Sequence, residues 1–575
     1  MTPFAARGVA AAVPDARASC AACGRVRTVA GPILGAMIPA RIRRCRIRLP
    51  RRSALLGIIT LVALAALLPG SIGGRAQGAD RETRIAMSAP TTLDPAEAGD
   101  AASAAVIAQL FEGLTAIDGS LVPRPALAAS WTFADGNRTV DFTLRDGLTF
   151  SDGTPISADD VLRSWLRVLD PAARSPLAAL LYDVVGARAY ATGASADPAT
   201  VGLRADGRVF EVRLTRPAGD FPAIVASPSL SVVPPGVRGG GAGLDPGAGF
   251  VASGGYVLAA STPTELSLTA NPHYWAGPPP LSKVTLVTDL GGKSPVDVFG
   301  AGTLDWTPVA PEDASWIGFD RTFGPQLRSS ADLVVTYFGF DTRRAPFNDP
   351  RVRRAFAQAV DWRRVVRLAD GSDALPATGM VPPGIAGRSD VNFLPPFDPA
   401  AAKRLLADAG FPDPATFPAI TLVDSGTPYD AGILDQLHVN LGITVRYESR
   451  DFTDFFNRLG KADGPQFWAL GWVADYPSPY DFLGILLGGG QPNNYGGWTS
   501  AAFDAAIARA AASQDPATVR AAYDQAEGAV RDEVPVVPAA YSTSYALSRT
   551  GLLGAQTNGL GILRIAGMAW AAGTP

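Results

Sequence analysis

"FTLRDGLTFSDGTPISADDVLRSW", residues 142–165, changes its period halfway. Together with the residues just before it, the first half alternates apolar and polar side chains. Val140, Phe142 and Leu144 fall on one face, the mark of a half-buried strand over 138–150. The second half reads as a helix over 157–171. Ser157 stands at its start, Asp160 three residues on completes a capping box, and Asp170-Pro171 stops it. Asp159 and Asp160 are adjacent and diverge on a helix, so they are not a working pair of carboxylates. A strand feeding a helix in this way sets a mixed α/β chain.

The same devices recur outward from this block. "VFEVRLTRP" (209–217) is a second strand, and the Gly- and Pro-rich 216–255 reads as a loop or crossover. "LVVTYFGFDT" (333–342) is an apolar strand. Three helices then open on Asp-Pro, with Asp as cap and Pro at the first helical position: 349–360, 398–410 and 515–530.

The chain has 575 residues, enough for two or three domains, and a net charge of −3 that hides an asymmetry. Residues 1–78 hold twelve Arg, no Lys and one acid, Asp15, for +11. The remainder holds 38 basic and 52 acidic residues, for −14. A body this acidic argues against a nucleic-acid partner, whose phosphates would repel it. The basic leader has seven arginines between Arg41 and Arg52, a fifteen-residue apolar run from Ala54 to Leu68, then small residues ending in Ala76-Gln77-Gly78. That is the layout of a secretory signal, and the run is shorter than the roughly 20 residues a spanning helix needs. All three cysteines, Cys20, Cys23 and Cys45, lie in this leader, so the mature chain is expected to carry no thiol and no disulfide.

Several chemistries are excluded. Only two histidines exist, His273 and His438, neither with a second His or a Cys nearby, which removes a His-based metal site and leaves no obvious triad. "GGKS" (291–294) has the ending of a phosphate loop, but Val287 stands where its first Gly is required. "LPATG" (375–379) resembles a sortase signal, yet almost 200 residues follow it, so it reads as a turn.

A longer series of segments carries a resemblance. In order they are "LDPAEAGD" (93–100), "QLFEGL" (109–114), "ALAASW" (126–131), the 142–165 block, "ASGGYVL" (252–258), "NPHYW" (271–275), "FGFDTRRAPFNDPRVRRAFAQAVD" (338–361), "FDPAAAKRLLADAGF" (397–411), "GWVADYP" (471–477) and "PVVPAAY" (535–541). The set resembles the oligopeptide-, dipeptide- and nickel-binding group, family 5, of extracytoplasmic solute-binding proteins that serve ABC importers. The resemblance implies a two-lobed periplasmic-binding-protein-like α/β fold with hinge strands and an extra inserted domain. The first lobe would comprise 79–117, 214–332 and 536–575, the inserted domain 118–213, and the second lobe 333–535.

It also implies a site. Asp475 matches the acid that pairs with the free α-amino group of a peptide, and Trp472 and Tyr476 would wall it. An ammonium drawn into a cleft needs such a charged partner, or desolvation defeats binding. Without the resemblance, Asp475 reads as a turn residue before Pro477. Phe452 matches an aromatic lining position, Trp498 is a further candidate for the cleft, and Asn493 and Asn494 are candidates for polar contacts. Ala469 stands where some relatives carry an Arg for the ligand carboxylate, and Arg343 or Arg344 is the alternative cation. The expected role is solute capture outside the cytoplasmic membrane, in the periplasm or on the membrane's outer face, by a monomer that uses no cofactor, performs no catalysis and delivers to permease subunits powered by a separate ATPase. The alternatives are the same role for a metal chelate, a sugar or another small amine, or else a secreted hydrolase or a sensing protein.

Signal cleavage after Gly78 has a direct check. Intact-mass measurement of the exported protein is expected to show loss of residues 1–78, and their retention would refute it.

Overall fold

A computed structural model describes residues 81–573, apart from 239–242, 248 and 372–373. The leader and its cysteines lie outside the described residues.

The backbone of the molecule is an eleven-stranded mixed sheet. Its order runs Arg446–Ser449, Thr421–Asp424, Phe467–Val473, Leu327–Phe340, Val536–Ser548, Trp306–Val309, Thr83–Ala86, Lys283–Val287, Glu265–Ala270 and Tyr256–Ser261. The two-residue strand Leu375–Pro376 joins from the side onto Val536–Ser548. "LPATG" is therefore part strand, part loop, where the sequence alone suggested only a turn. The two central strands are also the longest, 14 and 13 residues. They pair antiparallel with each other and reach both halves of the sheet. At one end Trp306 pairs Ser548; at the other Phe467 pairs Phe340. Their ladder breaks register between Ala331 and Val335, an irregularity that bends and twists a strand locally. Leu333, inside the break, has both backbone groups satisfied: its N–H donates to Gly559 O at 2.8 Å, and its carbonyl accepts from the Ala474 N–H at 2.9 Å.

A separate four-stranded antiparallel sheet is ordered Ala128–Ala134, Thr139–Leu144, Val209–Arg213, Leu203–Asp206. Val140, Phe142 and Leu144 are buried as their alternation predicts. The helix Ala158–Leu169 carries the capping box, with the Ser157 N–H donating to Asp160 Oδ2 at 2.8 Å. Its Trp165 packs edge-on against Phe210 at 5.0 Å and approaches Phe221 at 6.3 Å. The Asp-Pro helices form at Pro350–Gln358, Pro399–Asp408 and Pro516–Glu533, each with its Asp side chain accepting from a first-turn backbone N–H. No helix among the described residues is long and apolar enough to cross a membrane.

Arg353 ties the end of the longest helix to the rest. It is buried, and its guanidinium donates to the carbonyls of Phe347 at 2.7 Å, Val534 at 2.9 Å and Glu533 at 2.5 Å. These last two are carbonyls of the C-terminal turn of Pro516–Glu533, which no intrahelical donor reaches. Arg353→Met strands three carbonyls and is expected to cost about 3 kcal/mol or more. Thermal unfolding checks this, with Arg353→Lys recovering part of the loss; an unchanged melting temperature would refute it.

Candidate functional site

The strand Phe467–Val473 pairs along its whole length with Leu327–Phe340, from Phe467 opposite Phe340 to Val473 opposite Val334. On its other edge only Phe467 and Trp468 pair, with Leu422 and Val423. Among the described residues no strand pairs with that edge from 469 to 473. Gly471 and Val473 are exposed and Trp472 is buried between them. The segment therefore offers unpaired backbone donors and acceptors, a template on which an extended chain can lie.

The chain turns back immediately after this edge. Ala474 is anchored to Leu333 O, and Pro477 and Pro479 lead into the four-residue helix Pro479–Phe482, capped by Ser478. The helix returns Asp481 to the strand. Asp481 Oδ2 accepts from the Trp472 indole N–H at 2.9 Å and from the Asp475 backbone N–H at 3.3 Å. Asp475 itself is half-buried, and among the described residues nothing donates to its carboxylate. Burial raises its pKa to about 6. Asp481 is raised well above the usual carboxylate range, first by burial and then by the charge of Asp475. Ionising either acid without a counterion is costly in such surroundings.

A polar cluster holds the turn from outside. Ser478 Oγ donates to Asp220 Oδ2 at 2.7 Å, and the Arg216 guanidinium lies 4.1 Å from the Tyr480 ring centroid while pairing with Asp183 at 2.5 Å. Tyr476 is buried beside these groups, and burial raises its phenol.

The remaining sequence candidates gather elsewhere. Phe452 begins the helix Phe452–Arg458, is 38% exposed, and stacks on Phe456 at 5.7 Å; Phe456 meets Tyr495 edge-on at 5.8 Å. Trp498 is buried, with its indole N–H on Glu533 Oε2 at 2.7 Å. Asn494 donates to Leu487 O, Gly488 O and Trp498 O and accepts from the Trp498 N–H, so its amide is occupied within its own loop. Asn493 Oδ1 takes the Tyr495 hydroxyl. Trp498, Asn494, Asn493 and Tyr495 line a cavity with Tyr337 and Trp468. The structure thus brings Asp475, Trp472 and Tyr476 together, and Phe452, Asn494 and Trp498 around a second aromatic group. Arg343 and Arg344 both pair with Asp341 and donate to carbonyls of 460, 462, 464 and 495, which commits both cations to loop anchoring. His273 and His438 are exposed and far apart in sequence. Sequence reading missed Asp481, although an acid six residues after Asp475 and inside a Pro-bounded helix was visible.

Three kinds of comparison agree. The model of the bacterial extracellular solute-binding proteins, family 5, matches residues 122–494. The periplasmic oligopeptide-binding protein OppA of Salmonella typhimurium LT2 is 30% identical over 84% of this chain and 92% of its own length. The probable deoxycholate-binding periplasmic protein YgiS of Escherichia coli K12 is 29% identical over 79% of this chain and 86% of its own. Among solved structures, the unliganded open form of MppA, a periplasmic murein tripeptide binding protein, superposes with a TM-score of 0.77 at 25% identity, covering 85% of this chain and 97% of that one.

Asp475 yields a stability prediction. An acid whose folded-state pKa lies above its unfolded value binds its proton more tightly when folded. Its favourable contribution is complete below about pH 4 and is lost as the pH rises through about 6. Asp475→Asn is therefore expected to stabilise the ligand-free protein by about 1–2 kcal/mol above that range and to leave it unchanged near pH 4. Melting temperatures of both proteins across pH check this, and coincident curves at pH 8 would refute it.

Proposed function

The chain belongs to family 5 of the bacterial extracellular solute-binding proteins, and from that premise we propose that it captures peptides by their free amine outside the cytoplasmic membrane and delivers them to an ABC importer. The observation that carries the reading is the half-buried Asp475 carboxylate, unpaired, at the end of a strand edge left open from 469 to 473. A peptide main chain bonds to such an edge whatever its side chains are, and its ammonium supplies the charge that Asp475 lacks. Trp472 and Tyr476 keep water from that pair and strengthen it. Phe452, Trp498 and Asn494 belong to the more distant aromatic wall of the cleft.

The lobes are divided as the resemblance implies: 79–117, 214–332 and 536–575 in the first, 333–535 in the second, and 118–213 inserted. The separate four-stranded sheet over 128–213 and the two long shared strands support this division. The solute bridges the lobes, and closure follows because the closed arrangement binds it better. Handover requires permease subunits and a separate ATPase, with no bond chemistry in this chain. With Ala469 in place of a cation and Arg343 and Arg344 committed elsewhere, the far carboxylate of the peptide goes unread.

A bile acid is the second reading, since one relative is named for deoxycholate. Deoxycholate is an anion, and an acidic pair repels it, so the peptide reading is favoured.

Thermal unfolding with di- to pentapeptides, each free, N-acetylated and C-amidated, tests this. A ligand at 100 times its dissociation constant adds about 2.7 kcal/mol. Stabilisation is expected from free-amine peptides, amidated or not, and not from acetylated ones. Equal response to acetylated peptides would remove Asp475 as the amine anchor; stabilisation by deoxycholate alone would overturn the peptide reading.

A further inference from the structure

Directly behind Asp475 stands a second acid that amine capture alone does not use. Asp481 is fully buried. Its Oδ2 holds the Trp472 indole and the Asp475 backbone, while its Oδ1 is equally buried and meets no hydrogen-bond partner among the described residues. The groups around it are almost all acidic or neutral. Asp475 and Tyr476 face it from its own turn, and Asp220, bonded to Ser478, faces it from the start of the helix Phe221–Ile224. Among the described residues the one cation of this cluster, Arg216, is held by Asp183 and stacked on Tyr480. A buried carboxylate with one bare oxygen and acidic neighbours is best accommodated as the neutral acid.

We propose that Asp481 is a positioning residue of the solute site and holds a proton that leaves when an ammonium group docks on Asp475. The inference rests on the amine-binding reading. In the empty site Asp475 is the carboxylate and Asp481 the acid, a net charge of −1. A docked ammonium brings +1. Asp481 then loses its O–H proton to solvent, both acids are ionised, and the net charge of the site is again −1. No other bond changes. Because a proton is released, solute affinity rises with pH, by up to about tenfold per pH unit while Asp481 supplies one full proton. Two geometric roles accompany this: Asp481 fixes the Trp472 wall and sets the direction of the Asp475 backbone.

Calorimetric titration of the purified protein with trialanine, in buffers of differing ionisation enthalpy at one pH, counts the protons released. Near pH 7 the remaining protonation of Asp475 and the remaining deprotonation of the peptide amine are each about a tenth and opposite in sign, so they nearly cancel. Wild type is expected to release about half a proton or more, and Asp481→Asn close to none, with an affinity that no longer climbs with pH. A purely structural Asp481 would not move this count. Trialanine binding without buffer dependence would overturn the inference and leave the amine reading standing. Absence of binding by trialanine and by every free-amine peptide of the thermal panel would overturn both. If Asp481→Asn does not fold, the wild-type pH profile decides: an affinity flat from about pH 6.5 to 7.5 would overturn the proposal.

Discussion

Everything in this molecule hangs on the antiparallel pairing of Leu327–Phe340 with Val536–Ser548. One half of the sheet attaches to one end of that ribbon and the other half to its opposite end. A ribbon of uniform register would make the sheet a single stiff plate. The break between Ala331 and Val335 interrupts it where the halves meet. The carbonyl and N–H of Leu333, buried within the break, are nevertheless both satisfied.

The site lies one step from that break and is built against stability. Aromatic Trp472 and Tyr476 flank an acid that has no counterion among the described residues, and a second acid lies beneath it. A sequence selected for stability alone would place a neutral residue at 475. Keeping an acid there leaves an electrostatic debt in the empty protein; in the proposed reading a cation settles it on arrival, and the gain appears as affinity. The indole–carboxylate bond from Trp472 to Asp481 keeps the second acid from turning outward to water, where its tension would vanish.

Local punctuation was legible from sequence because its physics is local. The Asp-Pro helix starts and the Ser157–Asp160 capping box need only neighbouring residues, and each formed where expected. The strand read at 333–342 begins six residues earlier, because Leu327–Asp332 is only partly buried and becomes strand through pairing with Val536–Ser548, over 200 residues away. No periodicity encodes such a partner. Similarly, the bonds by which Asn494 holds the Trp498 backbone close a loop that the sequence around them does not reveal. Arg343 and Arg344 had a nearer clue, since Asp341 precedes both within three residues. Asp481 joins the site only because the chain reverses at 474–478, a fold-back that no single residue announces.

The bond from Ala474 N–H to Leu333 O has a mechanical meaning. Ala474 is the residue before Asp475, and Leu333 sits in the register break, so a rotation of the halves about the break, as the proposed closure requires, would displace the acid with it. Coupling of this kind is reciprocal: the free energy with which a solute favours one arrangement of the halves equals the affinity it loses when the other is imposed. If Asp475 is the solute anchor, the chain would thereby be a transducer. A partner that gripped the two halves and drew them apart would not have to reach the solute at all, because the pull itself would be felt at Asp475 as a larger dissociation constant.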